Sequence, residues 1–190
     1  MIVNVVINYT EQDRLDALDL ASDLKKLGYY STLIPDYQEL KRRRLSQWII
    51  RYLGYGKDCD VLVKMDPDCY VTGKFEIPEK ADVFGNLQQF MGGMFPTAGA
   101  FGVTSATARR LIGVLNNPVE SPYRSYQHQG YDRPIGIEED LLSMASQRLV
   151  LRMTNWPDTD IGFRPYKEIP DGQRKETRPK VIHPVHRPRP

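Results

Sequence analysis

"VLVKMDPD", residues Val61 to Asp68, decides how this chain folds: an apolar run ends abruptly in two carboxylates one residue apart. The polar stretch "KDCD" (57–60) before it has the composition of a turn. The run itself is short and rich in β-branched side chains, the marks of a buried strand. Acidic residues at the carboxyl end of such a strand face the crevice in which open α/β sheets bind their ligands. Asp66 and Asp68 repel each other unless a proton or a cation lies between them. A divalent metal meets that need, and a metal at this place implies a phosphate-bearing ligand.

Working outward, "IVNVVINY" (2–9) reads as a first buried strand. Thr10 with Asp13 gives an N-cap signal for a helix carrying Leu15, Leu18, Leu20, Leu24 and Leu27, which Gly28 stops. "YYSTLIP" (29–35) is a second strand. A helix follows over 38–53, with a basic cluster from Lys41 to Arg44 and apolar Trp48, Ile49, Ile50 and Leu53 behind it. Gly54 and Gly56 close it. This strand–helix–strand–helix–strand order predicts a parallel, Rossmann-like half. Beyond it, residues 85–104 are rich in glycine and aromatics, a composition of turns and of backbone that approaches a ligand closely. Thr104 or Ser105 caps a further helix through Leu115. Residues 116–135 read as a long loop of the kind that serves as a lid. Glu138-Glu139-Asp140 opens another helix, and the stretch from Pro157 on, with half of the chain's prolines, reads as an extended tail.

The bulk properties agree with one well-cored soluble domain. The chain has 190 residues, with 41% hydrophobic and 26% charged side chains. A net charge of +2 conceals a basic tail, with Arg174, Lys175, Arg178, Lys180, Arg187 and Arg189 against Glu176, on a mildly acidic body. Cys59 and Cys69 are the only cysteines, too few for a disulfide framework or a thiolate metal site, and they read as reduced, mostly buried thiols. No segment reaches the length of a membrane span, and the amino-terminal run lacks the form of a signal peptide, so the expected compartment is the cytoplasm.

Three features recur in one order: Asp66-Pro67-Asp68 after a strand, Glu138-Glu139-Asp140 at a helix start, and a late histidine, His183 or His186. This pattern resembles the metal-dependent glycosyltransferases of the GT-A fold, with their D-x-D motif, x-E-D motif and late metal-ligating histidine. The segment "GGMFPTAGAFGVTSATARRL" (92–111) is similar to the family's acceptor-side segment. The resemblance implies a single α/β GT-A-like domain with a mostly parallel central sheet. Its nucleotide-binding half would be 1–80, its acceptor-side half 81–156 and its tail 157–190.

The resemblance further implies that Asp68 ligates Mn²⁺ or Mg²⁺ directly. Asp66 would contact the metal through water or the nucleotide ribose, and His183, in "VIHP", would be the later ligand. The donor would be a nucleoside-diphosphate sugar, a UDP-sugar by preference, and the acceptor a hydroxyl. Asp140 would be the general base, its place at a helix N-terminus favouring the ionised form, with Glu139 as the alternative. Tyr9 and Thr10 would meet the base, Asp36 the base or ribose, and Arg44 or a neighbouring arginine the diphosphate. Trp156 would face a sugar ring, whereas Trp48 belongs to the core. Absence of an anchor and stem points to a compact cytoplasmic, bacterial or phage-type enzyme. Two other readings share the residues: a metal-dependent nucleotidyltransferase, and a DNA-modifying glycosyltransferase or nucleic-acid-binding protein that uses the basic tail.

Overall fold

The computed structural model describes residues 1–35, 44–90, 92–117, 138–161 and 181–183. The elements are β1 (Val3–Tyr9), α1 (Arg14–Lys26), β2 (Tyr30–Pro35), α2 (Leu45–Leu53), β3 (Val61–Met65), β4 (Tyr70–Val71), β5 (Val83–Phe90) and β6 (Gly93–Thr104). After them come α3 (Ser105–Asn116), α4 (Glu138–Leu149), β7 (Met153–Asn155), β8 (Thr159–Ile161) and β9 (Val181–His183). A 3₁₀ turn over Gly54–Asp58 links α2 to β3.

Among the described residues the main sheet has six strands in the order β2-β1-β3-β6-β5-β7. β1 pairs parallel with both β2 and β3, which is the parallel half expected from the sequence. β6 then runs antiparallel to both β3 and β5, and β7 returns parallel to β5. The sheet is therefore mixed, with β6 opposing its described neighbours. Because β2 lies on one side of β1 and β3 on the other, the chain reverses direction across the sheet at β1. The carboxyl ends of β1 and β3 flank that switch point, where open sheets leave a crevice.

Strand periodicity sorts the core into two faces. Val6, Leu62, Phe101 and Val103 turn toward α2, α3 and α4 and pack with Trp48, Tyr52, Leu111 and Leu141. Val5, Ile7, Val63 and Met65 turn the other way, onto Ala17, Leu20 and Leu24 of α1 and onto Trp156. The helix α1 thus buries one stripe at helical spacing, while Leu15 and Leu18 stay 60% and 45% exposed. The leucines read from the sequence as one set span more than that stripe. Its start also differs from expectation. Thr10 Oγ1 donates to the Asp13 carboxylate at 2.6 Å, and neither side chain caps the helix. Its end is as expected: Gly28, at φ +84°, closes a Schellman motif, its N–H on the Lys25 carbonyl and that of Tyr29 on the Leu24 carbonyl.

Further corrections concern the second half. The glycine-rich segment is a β-hairpin, and its glycines make room for packing. A Cβ at Gly102 would lie 2.0 Å from the Phe84 ring, and one at Gly85 2.5 Å from Pro96. Trp156, expected beside a sugar, is 2% exposed, with edge-on contacts to Phe75 and Phe84 and its Nε1 donating to the Glu76 carbonyl at 2.8 Å. Part of the expected tail forms strands: β9 pairs with β4 and with β8 in a three-stranded sheet. Thr104, as expected, caps α3 by accepting from the Thr107 N–H at 3.2 Å. No described helix is long and apolar enough to cross a membrane.

Glycine positions give a direct test of this packing. Gly102→Ala should lower the free energy of unfolding by roughly 1–3 kcal/mol, because the added methyl drives into Phe84. Gly113→Ala, at an exposed position of α3 with nothing within 4 Å, should raise it by about 0.5–1 kcal/mol. Urea unfolding curves of the two variants measure both signs.

Candidate functional site

The carboxyl end of β3 is built by its neighbours. The Asp66 N–H donates to the Gly99 carbonyl of β6 at 2.8 Å, and the Cys69 N–H returns to the Asp66 carbonyl at 3.0 Å. These two bonds close the Asp66-Pro67-Asp68 turn, and both carboxylates are partly exposed. The Cys69 thiol lies buried beneath, donating to Gly99 O at 3.1 Å. Burial, and then the charges of Asp66 and Asp68, push that thiol well above its ordinary range.

Two residues before the turn lies a feature absent from the motifs read in the sequence. Lys64 sits in β3 and is 2% exposed. Its Nζ is 2.5 Å from Asp66 Oδ1 and 3.6 Å from Glu138 Oε2. Glu138, 4% exposed at the first position of α4, also accepts a 2.5 Å hydrogen bond from the Tyr52 hydroxyl of α2. Burial alone would lower the Lys64 ammonium, but Asp66 and Glu138 outweigh it and hold the ammonium above its ordinary range. Burial raises the Glu138 carboxyl, against the pull of Lys64 and the Tyr52 hydrogen bond. Tyr52 is raised well above its ordinary value, by burial first and then by Glu138. A single charged side chain inside "VLVKM" was the available signal.

This node brings together two motifs that lie 72 residues apart in number, at 66 and 138. Glu139, partly exposed, and Asp140, 8% exposed, follow Glu138 in the first turn of α4. That turn is seated by small residues. The Gly92 N–H donates to Ser143 Oγ at 3.1 Å, and Ser143 Oγ donates to the Asp140 carbonyl at 2.8 Å. Any Cβ at Gly92 would meet the Met144 backbone nitrogen at 2.2 Å.

The third motif arrives through the small sheet. β9 runs antiparallel to β4 with Tyr70 opposite Ile182 and Val71 opposite Val181. The next residue of β9, His183, therefore falls at the end of β4 that adjoins Asp68. Its side chain lies outside the described residues, and so does His186. Tyr9 ends β1, partly buried against the second core face, and Thr10 follows it with its hydroxyl on Asp13. Arg44 is exposed just before α2, its carbonyl accepting from the Trp48 N–H at 3.1 Å. Asp36, residues 41–43 and most of the expected lid loop lie outside the described residues.

Among the described residues, no three His, Cys, Asp or Glu side chains form a group able to hold a metal by themselves. Asp66 and Asp68 fit a less enclosed arrangement. Nucleotide-borne Mg²⁺ or Mn²⁺ takes one or two carboxylate oxygens and fills its other positions with phosphates and water.

The node also sets a pH response. Lys64 and Tyr52 both have folded-state values raised above their ordinary 10.5 and 10.0. Above those values the unfolded chain gives up protons that the folded chain keeps, so stability falls as the pH rises. Their contribution is complete below pH 10.0 and is lost as the pH climbs through the raised folded values. Tyr52→Phe should cost roughly 1–3 kcal/mol, by leaving Glu138 without its hydroxyl partner, and should flatten the alkaline slope. Denaturant unfolding between pH 8 and 11 in both proteins measures this; an equal slope would show that the tyrosine takes no part.

Compared with known proteins, the chain matches no family model and none of the curated proteins.

Proposed function

We propose that this chain is a metal-dependent glycosyltransferase of the GT-A type, moving a sugar from a nucleoside-diphosphate sugar to an acceptor hydroxyl. The observation that carries this reading is the meeting of the acidic turn after β3 with the acidic first turn of α4 beside a topological switch point. The strand that ends in His183 adds its backbone to the same neighbourhood. Oxygen donors at a crevice, with an excess of carboxylates over the one buried ammonium, favour a divalent cation and a polyphosphate there.

When bound, Mn²⁺ or Mg²⁺ would neutralise the charge that develops on the departing diphosphate. Asp68 would ligate it, with Asp66 beside it and His183 as the later ligand. Tyr9 and Thr10, at the end of β1, would meet the base. Asp140 or the more open Glu139 would take the proton that the acceptor hydroxyl sheds on attack. Both stand in the first turn of α4. Glu138 is held by Tyr52 and Lys64 and has a supporting place.

Calorimetric titration of UDP and of GDP, each with and without Mn²⁺, tests the reading. Mn²⁺-dependent binding by one of them, weakened at least about tenfold in Asp68→Asn, is the expected result. Failure of both nucleotides to bind the folded protein with Mn²⁺ present would rule out these two donors. With a binding nucleotide in hand, sugar-nucleotide turnover should drop by about 10²–10⁴ in the variant, Asp140→Asn or Glu139→Gln, that lacks the base. Nucleotide affinity should be retained.

A further inference from the structure

Lys64 occupies a place where its strand neighbours Leu62, Val63 and Met65 are fully apolar. Taking an ammonium out of water is costly unless close carboxylates compensate it. Two do, and one of them belongs to the acidic turn itself: Asp66, whose side chain is 32% exposed. A divalent ion at that turn would therefore meet a carboxylate already shared with a fixed positive charge. The other partner, Glu138, ties the same charge to the turn that carries Glu139 and Asp140.

We infer that Lys64 is a positioning residue that serves as the resident counter-cation of this site, so that the turn holds a divalent ion weakly alone and tightly once a nucleoside diphosphate adds its own negative charge. The inference rests on the function proposed above. It follows from charge balance. With Lys64 in place, the protein's contribution to the ion's binding is reduced by a nearby unit of like charge, and the diphosphate supplies what is missing. Metal and nucleotide would then bind with strong mutual coupling, each raising the affinity of the other by the same factor. The same ammonium fixes the acidic turns of β3 and α4 against each other.

Mn²⁺ titrations, followed by the loss of the free-ion paramagnetic resonance signal with and without UDP or GDP, test this in four forms. Relative to wild type, Lys64→Met should bind nucleotide-free Mn²⁺ about tenfold more tightly or better, and the gain from adding nucleotide should shrink by a similar factor. Glu138→Gln keeps the ammonium and removes one of its partners, so nucleotide-free Mn²⁺ should bind more weakly. Lys64→Met/Glu138→Gln removes one charge of each sign and should return to within about threefold of wild type. A merely structural lysine predicts the opposite order, with Lys64→Met weakened and the double variant weaker still.

Should Lys64→Met fail to fold, Glu138→Gln and the double variant decide the matter by themselves. Nucleotide-dependent Mn²⁺ binding in wild type, with nucleotide-free affinity unmoved across the folded variants, would overturn this inference and leave the proposed function standing. No Mn²⁺ binding in any form, with UDP, GDP or neither present, would overturn this inference and rule out these two donors.

Discussion

A buried ammonium between two carboxylates is the constraint around which this molecule is arranged. Lys64 stands on the strand shared by the parallel half of the sheet and the antiparallel hairpin, with Asp66 one step along and Glu138 across on α4. The cost of desolvating three charges is recovered only if all of them stay within a few ångströms. That requirement fixes the depth of α4 against the sheet and the direction of its first turn. Tyr52 adds a second helix-borne group, so α2 is drawn into the same node. A hydrophobic side chain would fill the space without imposing any of this geometry.

Packing around the node depends on what is absent from certain positions. Gly92 lets the backbone of the hairpin end lie against the backbone of α4, and Gly102 and Gly85 leave space for Phe84 and Pro96. Glycine-rich sequence here reports close approach of protein to protein. Its composition is the same as that of a ligand-binding loop, and only the identity of the facing atoms tells the two apart. Trp156 teaches a similar lesson. An indole with an apolar body and one donor suits a sugar platform or a core equally well, and the donor is satisfied here by the Glu76 carbonyl.

Much of the fold was legible because it is written in local patterns. Short β-branched runs marked β1, β2 and β3, and the helical segments between them required parallel pairing. Gly28 marked the end of α1 because only a residue tolerant of positive φ serves there at low cost. Thr104 was one of two caps expected for α3 and is the one observed. The first turn of α1 was not legible in this way, since Thr10 and Asp13 satisfied each other instead of the helix. Leu15 and Leu18 fall outside the buried stripe, because periodicity identifies an apolar stripe without telling which side meets the sheet.

By itself the sequence determined the strand that Asp66 and Asp68 follow, the acidic start of α4, and the parallel order of the first half. These follow from side-chain period and from the steric preferences of neighbouring residues. Tertiary structure alone decided that the two acidic turns share one lysine, that β6 runs against its neighbours, and that β9 returns His183 to the Asp68 end of β4. The reason is physical. An ion pair between residues 64 and 138, or a strand pairing between 71 and 181, depends on how separate elements dock in space, and no local pattern encodes it.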